Sequence, residues 1–315
     1  MTDSTADTDA EDLLTVRDLV RCAVSRFNAA GISYGYGTET ALDEAAFLIL
    51  EALHLPIDDL APWLDARLTR AERRHVLHLI EARVTTRMPA PYLVGRAYIQ
   101  GVPFAVDPRV IIPRSFIGEL LFRTDLIGPD GALIGDVGGV ERVLDLCTGS
   151  GCLAILAAHV FPNAMIDAVE LSADAAEVAA YNIANSGFAD RITLFRGDLF
   201  APVAGAHYDL ILTNPPYVDA EGMANLPPEA AHEPHLALDG GADGLDIVRR
   251  ILAEAPAHLA LSGALMCEVG RGRPALEAAF PDLPLFWLDT ETSEGEVFWL
   301  RAEDFTPATT RGRLP

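Results

Sequence analysis

The chain has 315 residues, 50% of them hydrophobic and 22% charged, a globular balance and a length that suggests two domains at roughly 100–200 residues each. Its 46 acidic and 23 basic residues give a formal net charge of −23, which excludes a protein that coats DNA or RNA, because counterion release needs many cationic contacts. Every base is arginine, and the absence of lysine rules out Schiff-base and Walker-A lysine chemistry.

Residues 1–12 carry Asp3, Asp7, Asp9, Glu11 and Asp12 with no base. A signal peptide needs a basic start and an apolar middle, so these residues read as a disordered acidic tail. No apolar run approaches the ~18 residues of a membrane-spanning helix, and the expectation is a cytoplasmic protein with no membrane partner. Cys22, Cys147, Cys152 and Cys267 are scattered and read as small buried thiols of a reducing compartment.

Residues 13–95 read as a helical domain. The span 13–30 is amphipathic and stops at Gly31, a good residue just past a helix end. A second helix fits 40–55, before Pro56. A third begins at Thr69-Arg70-Ala71-Glu72, a capping box in which Thr69 and Glu72 each satisfy an orphan backbone donor. Between Arg67 and Arg87 six arginines stand against two glutamates. This basic stretch is either a solvated helix face or a docking surface for RNA or an acidic partner, through Arg70, Arg73 and Arg74.

Residues 96–125 read as a hairpin followed by a connecting helix, with Pro113-Arg114-Ser115 leading into the helix near 116–123. Residues 126–141 are glycine-rich and read as a linker or flexible hairpin. From 142 to 305 strands alternate with helices. Strands are expected at 142–146, 165–170, 192–195, 208–213, 264–269, 285–288 and 296–300. Such alternation predicts a mainly parallel α/β sheet covered on both faces. The polar segment 289–295 is too short for a parallel crossover, so the last two strands should pair antiparallel. Residues 306–315 form a C-terminal tail.

Two motifs carry chemistry. The first strand runs into Asp145-Leu146-Cys147-Thr148-Gly149-Ser150-Gly151 ahead of an apolar helix. Glycines there let the backbone approach a ligand at a helix N-terminus. Gly149 to Ala154 also fits the dinucleotide fingerprint, and Glu170 suits a ribose in either case. Asp145 separates the readings: its charge opposes a pyrophosphate but favours a ligand with an ammonium group, such as the methionine part of S-adenosylmethionine (SAM). Asp198, followed by Leu199, could accept from an adenine amino group. The second motif is Asn214-Pro215-Pro216-Tyr217. A planar NH₂ group is a poor nucleophile because its lone pair is delocalised. The Asn214 side-chain oxygen and the Pro215 carbonyl can accept its two hydrogens, the prolines set orientation in advance, and the Tyr217 ring can stack on the plane. Both an adenine amino group and a glutamine amide meet that description.

The whole pattern resembles the HemK/PrmC/PrmB group of SAM-dependent protein glutamine N-methyltransferases. The resemblance covers nearly all of the chain after the acidic tail, and it is greatest to the PrmB branch. It rests on Ile112-Pro113-Arg114-Ser115-Phe116-Ile117-Gly118-Glu119-Leu120, on the cysteine-bearing loop from Asp145 to Cys152, and on Tyr217-Val218-Asp219-Ala220-Glu221 with His232-Glu233-Pro234. Phe116 stands where that branch usually has proline. The resemblance implies a helical substrate-recognition domain joined by a hairpin to a seven-stranded, Rossmann-like class I methyltransferase domain whose last strand is antiparallel. It implies SAM as cofactor, bound by Asp145, Thr148, Gly149, Gly151, Glu170, Asp198, Leu199 and Asn214. It implies catalysis by Asn214, Pro215, Pro216 and Tyr217, with Arg114 and Glu119 shaping the substrate pocket and residues 218–243 covering the target. No metal is implied, although His232 and His235 lie in that segment. The implied substrate is a glutamine of large-subunit ribosomal protein L-three, free or in an assembling subunit, with rRNA touched locally through Arg70, Arg73 and Arg74. The sister branch modifies a release-factor Gly-Gly-Gln motif and is the alternative. An adenine methyltransferase would need a broad basic groove, whereas residues 96–315 hold 14 bases against 31 acids. A non-catalytic assembly factor is the rival of another class.

Overall fold

The computed structural model describes residues 10–305. Most of the expected acidic tail and all of the C-terminal tail lie outside that range. Residues 10–12 depart from the expectation, because they are helical and Ala10 is buried in an apolar cluster. Glu11 meets Arg70 at 3.1 Å, so acidity here marks an ion-pair partner.

Contacts divide the chain into two units. The first comprises residues up to Ala97 together with Val106–Pro108 and Leu226–Glu233. Its helix α1 (Val16–Ala30) begins where Thr15 and Asp18 form a capping box and ends at Gly31 in the left-handed conformation. The reciprocal cap fixes the start later than residue 13. Helix α2 (Ala41–Ala52) is capped by Thr40. Helix α3 (Arg70–Thr86) starts at the predicted capping box of Thr69 and Glu72. Leu19, Phe27, Leu48, Ile49, Leu77 and Ile80 are buried where the three helices meet.

Helix α3 is not uniformly a charged surface. Arg83 is fully buried and donates to Glu44 at 2.5 Å, to the Ser33 carbonyl at 3.0 Å and to Glu229 at 3.4 Å. Arg87 donates to the Ala30 and Gly31 carbonyls at 2.8 Å each. Of the six arginines of the basic stretch, Arg83 is therefore internal and Arg87 half-buried, both held by acceptors distant in sequence. A planar guanidinium presents five donors, and buried carboxylates with carbonyls match them.

The second unit holds most of the hairpin β1 (Arg96–Ile99) and β2 (Val102–Ala105), helix α4 (Phe116–Leu121) and the sheet. In chain order the sheet elements are β3 (Arg142–Leu146), α5 (Cys152–Val160), β4 (Met165–Glu170), α6 (Ala173–Asn185), β5 (Ile192–Arg196), β6 (Tyr208–Thr213), α7 (Asp246–Glu254), β7 (Leu259–Glu268), α8 (Arg273–Ala279), β8 (Phe286–Leu288) and β9 (Val297–Arg301). The strand order is β5-β4-β3-β6-β7-β9-β8, with β9 antiparallel to both neighbours and the other pairs parallel. Strand β7 starts earlier than expected, with a register shift opposite Tyr208 and Leu210.

Side chains alternate between two buried layers. Val143, Ile166, Leu210 and Met266 pack with α5 on one face. Leu144, Ile211 and Leu265 pack with Val248, Ile251 and Leu252 of α7 on the other. The span 126–141 is not a free linker: Ile127 and Val140 are buried in the first layer, with Leu126, Leu133 and Ile134 packed against it. Its apolar residues anchor it between the glycines. No helix among the described residues is long and apolar enough to cross a membrane.

Candidate active site

Strands β3, β4, β6 and β7 are parallel and end at one edge, at Leu146, Glu170, Thr213 and Glu268. Ligands of open α/β sheets bind outside that edge. A cleft of about 270 Å³ opens there, lined by residues 109–115, the loop after β3, Glu170, Asp198, Leu199 and Asn214-Pro215-Pro216-Tyr217. Both sequence motifs therefore meet in one cavity.

The loop after β3 is organised from beneath. Asp145 is completely buried and does not line the cleft. Its Oδ2 accepts from the Thr148 hydroxyl at 2.5 Å and from the Ala154 N–H at 2.9 Å. Burial pushes its carboxyl up to about 7. Oδ1 is buried without a hydrogen-bond partner among the described residues. Asp145 was expected to sit beside the loop with a charge that favours an ammonium group; its carboxylate lies beneath the loop, where it holds Thr148 and Ala154. Gly151 has φ +82° and hands the chain to α5, a conformation that costs an L side chain strain.

Glu170 ends β4 and lines the cleft. Its Oε2 accepts from the Gly149 N–H at 2.9 Å and its Oε1 from the Ser172 N–H at 2.8 Å, while burial raises its pKa. Asp198 lies on the cleft wall, half-exposed, and holds Arg250 of α7 at 2.9 Å. An adenine amino group would share that carboxylate with a guanidinium the sequence reading did not single out. Leu199 is buried beside it.

At β6, the Thr213 hydroxyl donates to the Leu146 carbonyl at 3.0 Å, which ties the two motif-bearing strands together. Asn214 follows on the cleft wall, and Pro215 is buried. The Tyr217 hydroxyl donates to Glu268 Oε1 at 3.1 Å. Burial, then the nearby Glu268 charge, raises the phenol pKa well above its ordinary value. Residues 218 and 239 form a parallel bridge that fastens the segment after the motif.

Arg114 lines the cleft and donates to the Ile112 carbonyl at 3.1 Å. Glu119 does not line it. Its Oε1 accepts from the Glu291 N–H at 2.9 Å, in a separate groove with Gln100, Phe122 and Arg123. The segment leading to β9 supplies that donor, so Glu119 is removed from the substrate pocket. Cys147 and Cys152 also line the cleft, but burial pushes both thiols up, Cys152 to about 12. Neither is a thiolate nucleophile near neutrality.

Two buried polar residues escaped the sequence reading. Asn182 of α6 accepts from the Ala105 N–H at 2.8 Å and donates to the Ala105 and Ser150 carbonyls at 3.0 and 2.9 Å. It joins the hairpin to the loop after β3. Glu268 ends β7, fully buried, with its carboxyl pushed up to about 7 by burial. Besides Tyr217, it accepts from the Ser115 hydroxyl at 2.7 Å and the Phe116 N–H at 3.0 Å. A proline at 116 would have no N–H to give. Strand ends carrying acids were a visible signal, but nothing local names their partners.

The family model for the methyltransferase small domain matches residues 136–228. A ribosomal protein uL3 glutamine methyltransferase of Bradyrhizobium diazoefficiens is 60% identical over 296 residues, covering 93% of this chain and 92% of that protein. A protein of the same name from Bordetella pertussis is 54% identical, covering 93% and 97%. Among solved structures, a methyltransferase from Pyrococcus furiosus aligns at 15% identity and a TM-score of 0.46, covering 75% of this chain and 99% of that one.

Proposed function

The chain belongs to the family of ribosomal protein uL3 glutamine methyltransferases, and from that membership we propose that it methylates the side-chain amide nitrogen of one glutamine in uL3, using SAM. The observation that carries this reading is the opening of Asn214-Pro215-Pro216-Tyr217 into the same cleft as the loop after β3. Family membership selects a glutamine amide over an adenine amino group and over a release factor.

The residues present suit a cationic nucleoside cofactor. Asp145 and Glu170 place negative charge beneath and beside the loop, and an unpartnered Asp145 Oδ1 lies under it. Asp145, Thr148, Gly149, Gly151, Glu170, Asp198, Leu199 and Asn214 are the residues assigned to hold SAM. When bound, SAM supplies an activated methyl group for direct displacement. The protein's own part is orientation. Asn214 Oδ1 and the Pro215 carbonyl accept the two amide hydrogens of the glutamine, which aims its nitrogen lone pair along one direction. Pro215 and Pro216 hold that geometry without reorganisation. Tyr217 covers the amide plane, and Arg114 bounds the pocket.

We place the reaction in the cytoplasm, on uL3 free or within an assembling large subunit. In a precursor, Arg70, Arg73 and Arg74 of α3 are the residues assigned to touch rRNA. That contact is narrow, because Arg70 is paired with Glu11 and Arg73 donates to the Leu68 carbonyl at 3.1 Å. The test is incubation with labelled SAM and purified uL3, with a release factor as the control acceptor, followed by mass spectrometry of the product. One methyl group on a uL3 glutamine is the expected result. Label on the release factor alone, or on no glutamine, refutes the assignment.

A further inference from the structure

A single buried carboxylate joins two segments that line the cleft. Glu268 Oε2 receives the Ser115 hydroxyl and the Phe116 N–H, and Oε1 receives the Tyr217 hydroxyl. The Ser115 hydroxyl belongs to the segment before α4, which lines the cleft from Val110 to Ser115, and the Phe116 N–H to the first residue of α4. Tyr217 belongs to the tetrapeptide that lines the same cleft. The Ser115 hydroxyl also accepts from the Ile117 N–H at 3.2 Å as the cap of α4, so the tether is fixed at that end by a helix start. At the other end the Tyr217 ring has little freedom. Gly270, two residues after Glu268, has φ +50°, and a Cβ there would lie 2.5 Å from the ring's Cε2. The ring is thus backed by bare backbone on one side and held at its hydroxyl by Glu268.

We infer that Glu268 is a positioning residue for methyl transfer, whose length and three accepted hydrogen bonds set the spacing between the Tyr217 ring and the Ser115 wall. It touches neither the acceptor amide nor the cofactor, since it lies wholly behind the cleft surface. The inference rests on the proposed glutamine methylation for its kinetic readout only. Length matters here because a shorter acid cannot reach both segments from the end of β7. Charge matters less, because every partner is a donor to an oxygen and a glutamine side chain keeps the reach. Its oxygen can accept from Ser115 and Phe116, and its NH₂ can donate to the Tyr217 oxygen.

The test compares Glu268→Gln, Glu268→Asp and Glu268→Ala. Expected is a ten- to hundredfold fall in kcat for Glu268→Ala and Glu268→Asp, the scale of a misplacement of about 1 Å. Glu268→Gln should stay within about threefold of the parent, and KM for SAM should change by less than about twofold in every variant. Adding Glu268→Ala to Tyr217→Phe should cost less than it does alone, because the shared hydrogen bond is already gone. If Glu268→Ala does not fold, the Gln and Asp pair still decides. Recovery by Asp rather than Gln would assign a role to the charge and overturn the inference, as would equal activity of the two. Hydrogen exchange of residues 110–116 and 214–218 supplies a readout that needs no acceptor. Faster exchange in both segments for Glu268→Asp, and not for Glu268→Gln, is expected. Unchanged exchange overturns the tether even if uL3 is not the substrate, whereas absent methylation by the parent enzyme overturns only the substrate.

Discussion

Replacing Asp145 by Asn should stabilise the cofactor-free protein while weakening cofactor binding. Asp145 is entirely buried, and its carboxyl titrates near 7 instead of 3.8. For an acid whose folded pKa is raised, the stability contribution is present below 3.8 and is lost as pH rises from there through about 7. Above that range the ionised group costs at most about 4 kcal/mol. Asparagine keeps an oxygen for Thr148 and Ala154, the two donors now on Oδ2. Its NH₂ would sit unpaired where Oδ1 now lies, which takes back about 2 kcal/mol. The net gain is about 2 kcal/mol at about pH 8, or roughly 4–8 °C in Tm, and about zero at about pH 5. Thermal unfolding at the two pH values measures this. Titration calorimetry should show SAM bound at least about tenfold more weakly at about pH 8, because the charge under the loop is gone. A variant less stable than the parent at the higher pH, with SAM affinity unchanged, refutes the reasoning.

Asn214→Ala removes one of the two acceptors proposed for the target amide. It should lower kcat by about 10²–10³-fold, the scale of losing one preorganised polar contact, with Kd for SAM within about twofold by calorimetry. Arg83→Met leaves Glu44 buried without its guanidinium and leaves Glu229 with Arg87 alone, at 3.0 Å. The loss should be about 3–5 kcal/mol, seen as a lower midpoint in urea unfolding followed by helical circular dichroism. Reversing Arg70, Arg73 and Arg74 to Glu should slow methylation of uL3 in precursor particles at least about tenfold more than methylation of free uL3. Equal losses would make that face structural only.

Much of the architecture was written locally. Strands β3, β4 and β6 occupy their expected residues because burial on both sides leaves short apolar runs with sharp ends. Thr69 and Glu72 announced α3 because a capping box spans only four residues. The tetrapeptide stood out for the same reason, since its four residues are contiguous, and all four line the cleft. What escaped depends on partners far along the chain. Glu268 meets Ser115 across 153 residues, and Glu229 meets Arg83 across 146. Charge alone could not say that Arg83 is internal while Arg70 is exposed. The misassigned Glu119 belongs with these, because its acceptor role is set by the Glu291 N–H, 172 residues away.

The helical unit is not continuous in sequence, since it includes residues 226–233 and the buried carboxylate of Glu229. During synthesis its helices emerge first, yet that carboxylate emerges only after residues 109–225 have been made. At about 5–20 residues per second, that is a delay on the order of ten seconds. Through that interval Arg83 has Glu44 but lacks its second acid. The unit therefore reaches its final form only when the segment carrying Glu229 has left the ribosome, and a gene fragment ending near residue 97 would express a helical unit still waiting for it.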